Sequence, residues 1–159
     1  MPSPAEPDAL AELLGRELGV LQSFLVLLRQ EQALLAEGAS EALTTLANEK
    51  LRVAGELGGI SASRESQLLR SKLPSGRAGM DAWIASGAGT SSRRNWDELL
   101  RLAGEARSLN EANGRLIALH LQHYQQGLNV LMAAADKTAT YGPDGQQRPG
   151  GVGRSLGSA

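Results

Sequence analysis

The sequence contains no cysteine and few aromatic residues. The absence of cysteine from the 159 residues excludes disulfides and thiolate chemistry and is compatible with a reducing compartment. Aromatic residues make up only 3% of the chain, and the strand-favouring residues Val, Ile, Tyr and Phe are scarce, whereas Leu and Ala are abundant. Because this composition favours helix along most of the chain, it predicts an all-α protein.

Neither sign of charge dominates, and no long hydrophobic run is present. The 16 basic and 17 acidic residues are intermixed and give a net charge of -1, which creates no field that would gather phosphates or anionic lipids. Apolar stretches such as residues 24–28 are far shorter than the roughly 20 residues that cross a bilayer. Glu6 and Asp8 precede the first apolar run, unlike the basic start of a signal peptide. We therefore predict a cytoplasmic protein with no nucleic-acid partner and no membrane insertion.

The residues that are present divide the chain into three long predicted helices. A hydrophobic content of 42% is sufficient for one domain with a core. Apolar residues at helical spacing predict helices over about residues 5–37, 40–72 and 95–135, the last beginning with a capping-box pattern at Asn95 and Glu98. The short turn at Gly38 makes the first two helices antiparallel neighbours. The pattern predicts an antiparallel three-helix bundle in a domain over residues 1–141.

Two segments differ in composition from these helices. Residues 74–94 are rich in Gly, Ser and Ala, but the patch at residues 80–84 is too apolar for a free linker. This connector is therefore expected to contain a short helix docked on the bundle. Residues 142–159 contain six glycines, two prolines and almost no apolar residue, which predicts a flexible tail.

The third predicted helix has more apolar surface than a three-helix bundle needs. Its residues form two stripes that are rotated by about 100° about the helix axis. The first comprises Leu99, Leu102, Ala106, Leu109, Asn113 and Leu116, and the second comprises Ile117, Leu121, Tyr124, Leu128 and Leu131. The surplus is either the core of a larger bundle, a homodimer seam, or a groove for an amphipathic helix. We favour a protein interface.

Asn110 and Asn113 lie within this apolar region, where a buried amide without a partner costs roughly 1–3 kcal/mol. They either form interhelical hydrogen bonds that fix register, as polar residues do in coiled coils, or bind the backbone of a partner. Gly114 allows another backbone to approach closely.

No residue pattern indicates catalysis, a cofactor or a metal. His120 and His123 are one helical turn apart, but no carboxylate or cysteine stands at a fitting offset nearby. The Gly-rich segment at residues 87–92 lacks the lysine and the preceding strand of a phosphate loop. Acidic residues such as Asp97 and Glu105 belong to a helix start and a solvated face, with no placed histidine or serine. We predict that the protein is not an enzyme.

Three motifs in the last third of the chain carry a family resemblance. They are Leu109-Asn110-x-x-Asn113-Gly114-x-Leu116-Ile117, then Gln125-Gln126-x-Leu128-x-Val130-Leu131, then Tyr141-Gly142-Pro143-Asp144-Gly145-Gln146. Together they resemble the C-terminal signature of the FlgN family of flagellar export chaperones. The resemblance implies a cytosolic chaperone of the two hook-associated proteins that form the hook-filament junction. Such chaperones bind the disordered C-terminal segment of the client, prevent early polymerisation, and bring the client to the flagellar type III export gate.

The resemblance also implies that the third helix carries the client site and that Tyr141 contacts the cytoplasmic domain of the export gate. The predicted client contacts are Asn110, Asn113, Gly114, Ile117, Leu121, Tyr124, Leu128 and Leu131. The predicted gate contacts are Tyr141, Gly142, Asp144 and Gly145. The alternative for Tyr141 is a contact with its own bundle, and the alternatives for the whole chain are a homodimeric coiled-coil scaffold and an adaptor that sequesters another factor.

Overall fold

Every regular element in the described part of the chain is an α-helix. The computed structural model describes the backbone of residues 5–140 and the side-chain surroundings of residues 9–137. The helices are α1 (Ala5–Glu37), α2 (Ser40–Arg70), α3 (Gly76–Ala85) and α4 (Thr90–Thr140). The prediction of an all-α fold with three long helices and one short helix is confirmed. The tail predicted at 142–159 lies outside the described residues.

Tight turns separate α1 from α2 and end α2. Gly38 adopts a φ of 71°, the left-handed conformation that a glycine takes at little cost. At the other end, Lys72 adopts a φ of 59°, and the amide of Leu73 donates a hydrogen bond to the carbonyl oxygen of Leu68 at 2.9 Å. This closing bond stops α2 at Arg70, two residues before the predicted end.

Contacts made by α2 fix the directions of the long helices. Two α2 residues each contact both of the other long helices: Arg64 contacts Glu17 and Trp96, and Lys50 contacts Glu31 and Asn110. From the first set of contacts to the second, the residue number falls from 64 to 50 on α2, whereas it rises from 17 to 31 on α1 and from 96 to 110 on α4. Helix α2 is therefore antiparallel to α1 and to α4, and α1 and α4 are parallel.

All four helices contribute to one hydrophobic core. Its buried members are Leu10, Leu14, Leu21, Leu25 and Leu28 of α1, Leu68 of α2, Met80, Trp83 and Ile84 of α3, and Trp96, Leu99, Leu102 and Ala106 of α4. The apolar patch in the connector thus forms a short helix that packs on the bundle, as its composition predicts. The α1 members are three, four or seven residues apart, which are the spacings of one helical face.

Helix α4 is longer at both ends than predicted. It begins at Thr90 and ends at Thr140, so Asn95 and Glu98 are interior helical residues and the capping-box prediction is wrong. Gly89, with a φ of 93°, sets the start instead, and the first turns are held by the buried Ser92 and Trp96. The chain divides into two compact units after Leu116. The second unit begins at Ile117 and, in its described residues, consists of the rest of α4.

Candidate functional site

The C-terminal part of α4 carries large apolar side chains that are open to solvent. The exposed fractions are 40% for Ile117, 63% for Leu121, 62% for Tyr124, 54% for Leu128 and 67% for Leu131. These residues recur at alternating steps of four and three, so they lie on one face of the helix. We call this face the exposed stripe. Contiguous exposed apolar surface of this kind is typical of interaction sites.

The other stripe of α4 is the one that the bundle buries. Leu99, Leu102 and Ala106 are buried, Leu109 packs against the core, and Leu116 is half-buried. If this core stripe continued, its next positions would be His120, His123 and Gly127, none of which carries a large apolar side chain. The apolar pattern therefore changes face between Leu116 and Ile117, where the chain also divides into its two units.

Most of the predicted client residues share the exposed stripe. Asn110 and Gly114 precede Ile117 at the same alternating spacing along the sequence of α4. Both are exposed. A Cβ built at Gly114 meets nothing within 4 Å, so no other backbone of the described chain approaches it closely.

Asn113 does not lie on the exposed stripe. Its side chain is fully buried, and its Nδ2 donates hydrogen bonds to the backbone oxygen of Leu28 and to Oε1 of Glu31, both at 2.9 Å. Its Oδ1 is buried without a hydrogen-bond partner among the described residues. The interhelical alternative therefore describes the hydrogen bonds of Asn113 in this structure, and a client contact of this residue stays a prediction.

A polar cluster that sequence reasoning missed joins three helices at this level of the bundle. Lys50 Nζ donates to both carboxylate oxygens of Glu31, at 3.1 and 3.3 Å, and to Oδ1 of Asn110 at 2.8 Å. Glu31 is buried and also accepts the bond from Asn113. The available signal was Lys50, which interrupts an apolar seam of α2 and so needs an anionic partner when the seam packs.

Two lowered pKa values are found away from the exposed stripe. A hydrogen bond from Arg52 lowers the pKa of Glu49, and a hydrogen bond from Arg101 lowers the pKa of Glu98. In each pair the arginine lies three residues after the glutamate, and both side chains face solvent on their own helix. Pairs at this spacing support local helix structure and do not indicate a reactive group.

Several predicted features cannot be placed or are not found in the described residues. Tyr141, Gly142, Asp144 and Gly145 lie outside those residues, so the gate contacts have no observed geometry. Within the described range, no group of three or more His, Cys, Asp or Glu residues could hold a metal ion. No helix in that range is long and apolar enough to span a membrane.

The comparison with protein families decides the identity. The model described as FlgN protein matches residues 1–149, which is most of the chain. The chain belongs to the FlgN family. It is also similar to the flagella synthesis protein FlgN of Yersinia enterocolitica, with 26% identity over 147 residues, covering 91% of this chain and 93% of that protein. No solved structure matches the chain significantly.

Membership of the FlgN family agrees with the resemblance found in the last third of the chain and extends it over most of the sequence. FlgN proteins are non-enzymatic flagellar chaperones, which confirms the prediction that the protein is not an enzyme. The family also implies binding of hook-associated proteins. The exposed stripe is therefore the candidate binding surface in the described part of the chain.

Proposed function

We propose that this protein is a cytoplasmic export chaperone that binds the disordered C-terminal segment of hook-associated proteins, prevents their premature assembly, and delivers them to the flagellar export gate. The observation that carries the proposal is the exposed stripe on α4, in a chain of the FlgN family. An amphipathic helix that docks on such a face buries its own apolar residues together with the apolar residues of the exposed stripe.

The stripe suits capture followed by release. A client segment that orders as it binds spends part of the interaction free energy on its own loss of entropy. The resulting affinity is expected in the micromolar to nanomolar range, about -8 to -12 kcal/mol. This range is tight enough to prevent assembly of the client and weak enough to allow unloading at the gate.

The first test places a carboxylate in the stripe. Ile117→Asp and Leu121→Asp should each weaken binding of a hook-associated C-terminal peptide by tenfold or more, which is about 1.4 kcal/mol, because the aspartate must be desolvated in an apolar contact. Isothermal titration calorimetry measures the affinity, and circular dichroism should show unchanged helix content.

Leu51→Asp is the matched control, because Leu51 is an exposed leucine on α2, 72% accessible, and not part of the stripe. Its affinity should equal that of the wild type. Unchanged affinity in both stripe variants, or an equal loss in Leu51→Asp, would contradict the client site.

The second half of the proposal assigns gate binding to Tyr141 and the Gly142, Asp144 and Gly145 segment. What supports it is the family motif at residues 141–146 together with the chemistry of tyrosine, which offers a rigid apolar ring and a hydroxyl at low entropic cost. The motif directly follows α4, the helix that carries the exposed stripe. The client site and the docking tyrosine would then both lie in the C-terminal third of the sequence.

The two tyrosines of the chain give a reciprocal test of this division. Tyr141→Ala should keep client affinity and lose binding of the loaded complex to the gate's cytoplasmic domain. Tyr124→Ala should weaken client binding and, at saturating client, keep gate binding. Pull-down on the immobilised gate domain reads both. Undiminished capture of Tyr141→Ala would refute the gate role of Tyr141.

A homodimeric scaffold is the second candidate, because the exposed stripe could equally close against a second copy of the chain. Sedimentation equilibrium of the free protein separates the two. A stable dimer that is disrupted by Leu121→Asp and does not dissociate when client peptide is added would favour the scaffold. A monomer that binds the peptide favours the chaperone.

A further inference from the structure

The exposed stripe is embedded in a helical surface without formal charge. Residues 116–135 contain no Asp, Glu, Lys or Arg, and Arg115 and Asp136 bound this uncharged segment. Almost every side chain in it is exposed. A solvated helix normally carries charged residues on its outer faces. Because these side chains are exposed, burial in the protein's own core does not account for the absence of charge.

The flanks of the stripe are uncharged as well. In the heptad pattern set by the stripe, the flanking positions are Ala118, Gln125 and Met132 on one side and His120, Gly127 and Ala134 on the other. Residues at these positions in paired helices usually carry the charges that select a partner and its orientation. Here half of them are Ala or Gly, which lets a partner helix approach closely.

We propose that the partner of the exposed stripe is an amphipathic helix whose contacting face, flanking positions included, carries no charge. This inference rests on the chaperone function proposed above and specifies the chemistry of the client segment. The stripe from Ile117 to Leu131 is about 21 Å long at 1.5 Å per residue, so the client face extends over about four helical turns. A charged residue on that face would lose hydration and meet no opposite charge.

The affinity of such a contact comes from apolar burial and the fit of side chains, not from ion pairs. Surface ion pairs weaken as salt screens them, whereas apolar burial is unaffected or strengthened. Selection among clients then follows from the spacing of their apolar residues. Binding should accordingly be almost independent of ionic strength.

The first measurement is the affinity of the full chain for the hook-associated C-terminal peptide as salt is raised. Between about 0.05 and 0.5 M sodium chloride, the Debye length falls from roughly 14 to 4 Å. We expect the dissociation constant to change by less than about twofold over this range. A rise of about tenfold or more overturns the inference, even though it leaves the proposed function intact.

The second measurement adds a charge of either sign at the flank of the stripe. Gln125→Glu and Gln125→Lys should both weaken peptide binding, by roughly threefold or more, because neither sign finds a partner on an uncharged face. If the client face is charged, one of the two variants strengthens binding and the inference fails. The comparison of signs separates an electrostatic partner from an uncharged one.

Two controls isolate the effect of charge at this position. Gln126→Glu and Gln126→Lys alter the adjacent glutamine, which lies on the opposite side of the helix, and should leave the affinity unchanged. Asn129→Ala removes the 3.2 Å hydrogen bond that Gln125 donates to Asn129 without adding charge, and should also have little effect. Equal losses in the Gln126 variants overturn the inference.

The remaining outcomes are also decisive. If the peptide does not bind at all, the proposed function and this inference both fail. If sedimentation equilibrium shows a dimer that retains the stripe in its interface when peptide is present, the occupant is a second copy, and the inference fails. Tight, salt-independent binding that both Gln125 variants weaken supports it.

Discussion

Asn113 puts an amide where the core stripe of α4 would otherwise place an apolar side chain. Its two donated hydrogen bonds reach a backbone oxygen and a carboxylate of α1, and bonds to charged acceptors are stronger than neutral ones. Because a buried amide is satisfied only at one rotation of α4 against α1, this residue favours a single register for the packed helices.

We expect Asn113→Ala to lower the free energy of unfolding by about 2–3 kcal/mol, because it removes both hydrogen bonds from a fully buried position. Asn110 is the matched comparison, since it is exposed and accepts one bond from Lys50. Asn110→Ala should cost less than about 1 kcal/mol. Urea denaturation followed by circular dichroism measures both. Similar costs for the two variants would show that Asn113 does not contribute through its buried bonds.

At the scale of one element, α3 depends on a close approach of its backbone to the preceding turn. A Cβ built on Gly79 would lie 1.8 Å from the carbonyl oxygen of Pro74, and this oxygen belongs to the main chain. No rotation of a side chain relieves such an overlap. Any larger residue at this position must displace α3. This helix contributes Met80 and Trp83 to the core, so both would move.

Gly79→Ala should therefore destabilise the protein by about 3 kcal/mol, the upper end of the usual range for overpacking, because the overlap is with backbone that cannot rotate away. Gly104→Ala is the control. Gly104 is exposed in the middle of α4, and its added Cβ would meet nothing within 4 Å, so alanine should stabilise the helix by up to about 1 kcal/mol. Thermal unfolding of both variants decides the point, and shifts of the same sign would contradict the contact.

The start of α4 shows why an element boundary is hard to predict from local signals. Asn95 and Glu98 have the spacing of a capping box, but they lie inside the helix. The buried Trp96 donates a 2.8 Å hydrogen bond to Asp81 of α3. This tertiary contact, together with the positive φ of Gly89, sets the boundary. Neither is visible in the local sequence.

For the whole molecule, the sequence predicts the helix count and the general order, because Gly38 and Pro74 separate strongly periodic apolar segments. It also predicts two apolar stripes on α4. It does not tell which stripe is buried, because that depends on the faces that α1 and α2 present after folding. The structure answers this at Leu99 and Leu102, which are buried, and at Leu121, which is exposed.

The polar contacts between helices were the least predictable part of the site. Glu31 pairs with Lys50, and Glu17 pairs with Arg64 at 2.7 Å, across helices whose register the sequence does not give. A buried charge in an apolar seam indicates that some partner is needed, but it does not identify the partner. The gate residues after Thr140 stay predictions, because they lie outside the described residues.

The positions of the two indole rings make the bundle observable separately from the rest of α4. Trp83 and Trp96 are both 5% exposed and are the only tryptophans of the chain. Selectively excited tryptophan fluorescence therefore reports the interior of the unit that ends at Leu116. No such fluorophore lies on the exposed stripe. Tryptophan emission therefore monitors the integrity of the bundle while ligands are titrated onto the exposed stripe.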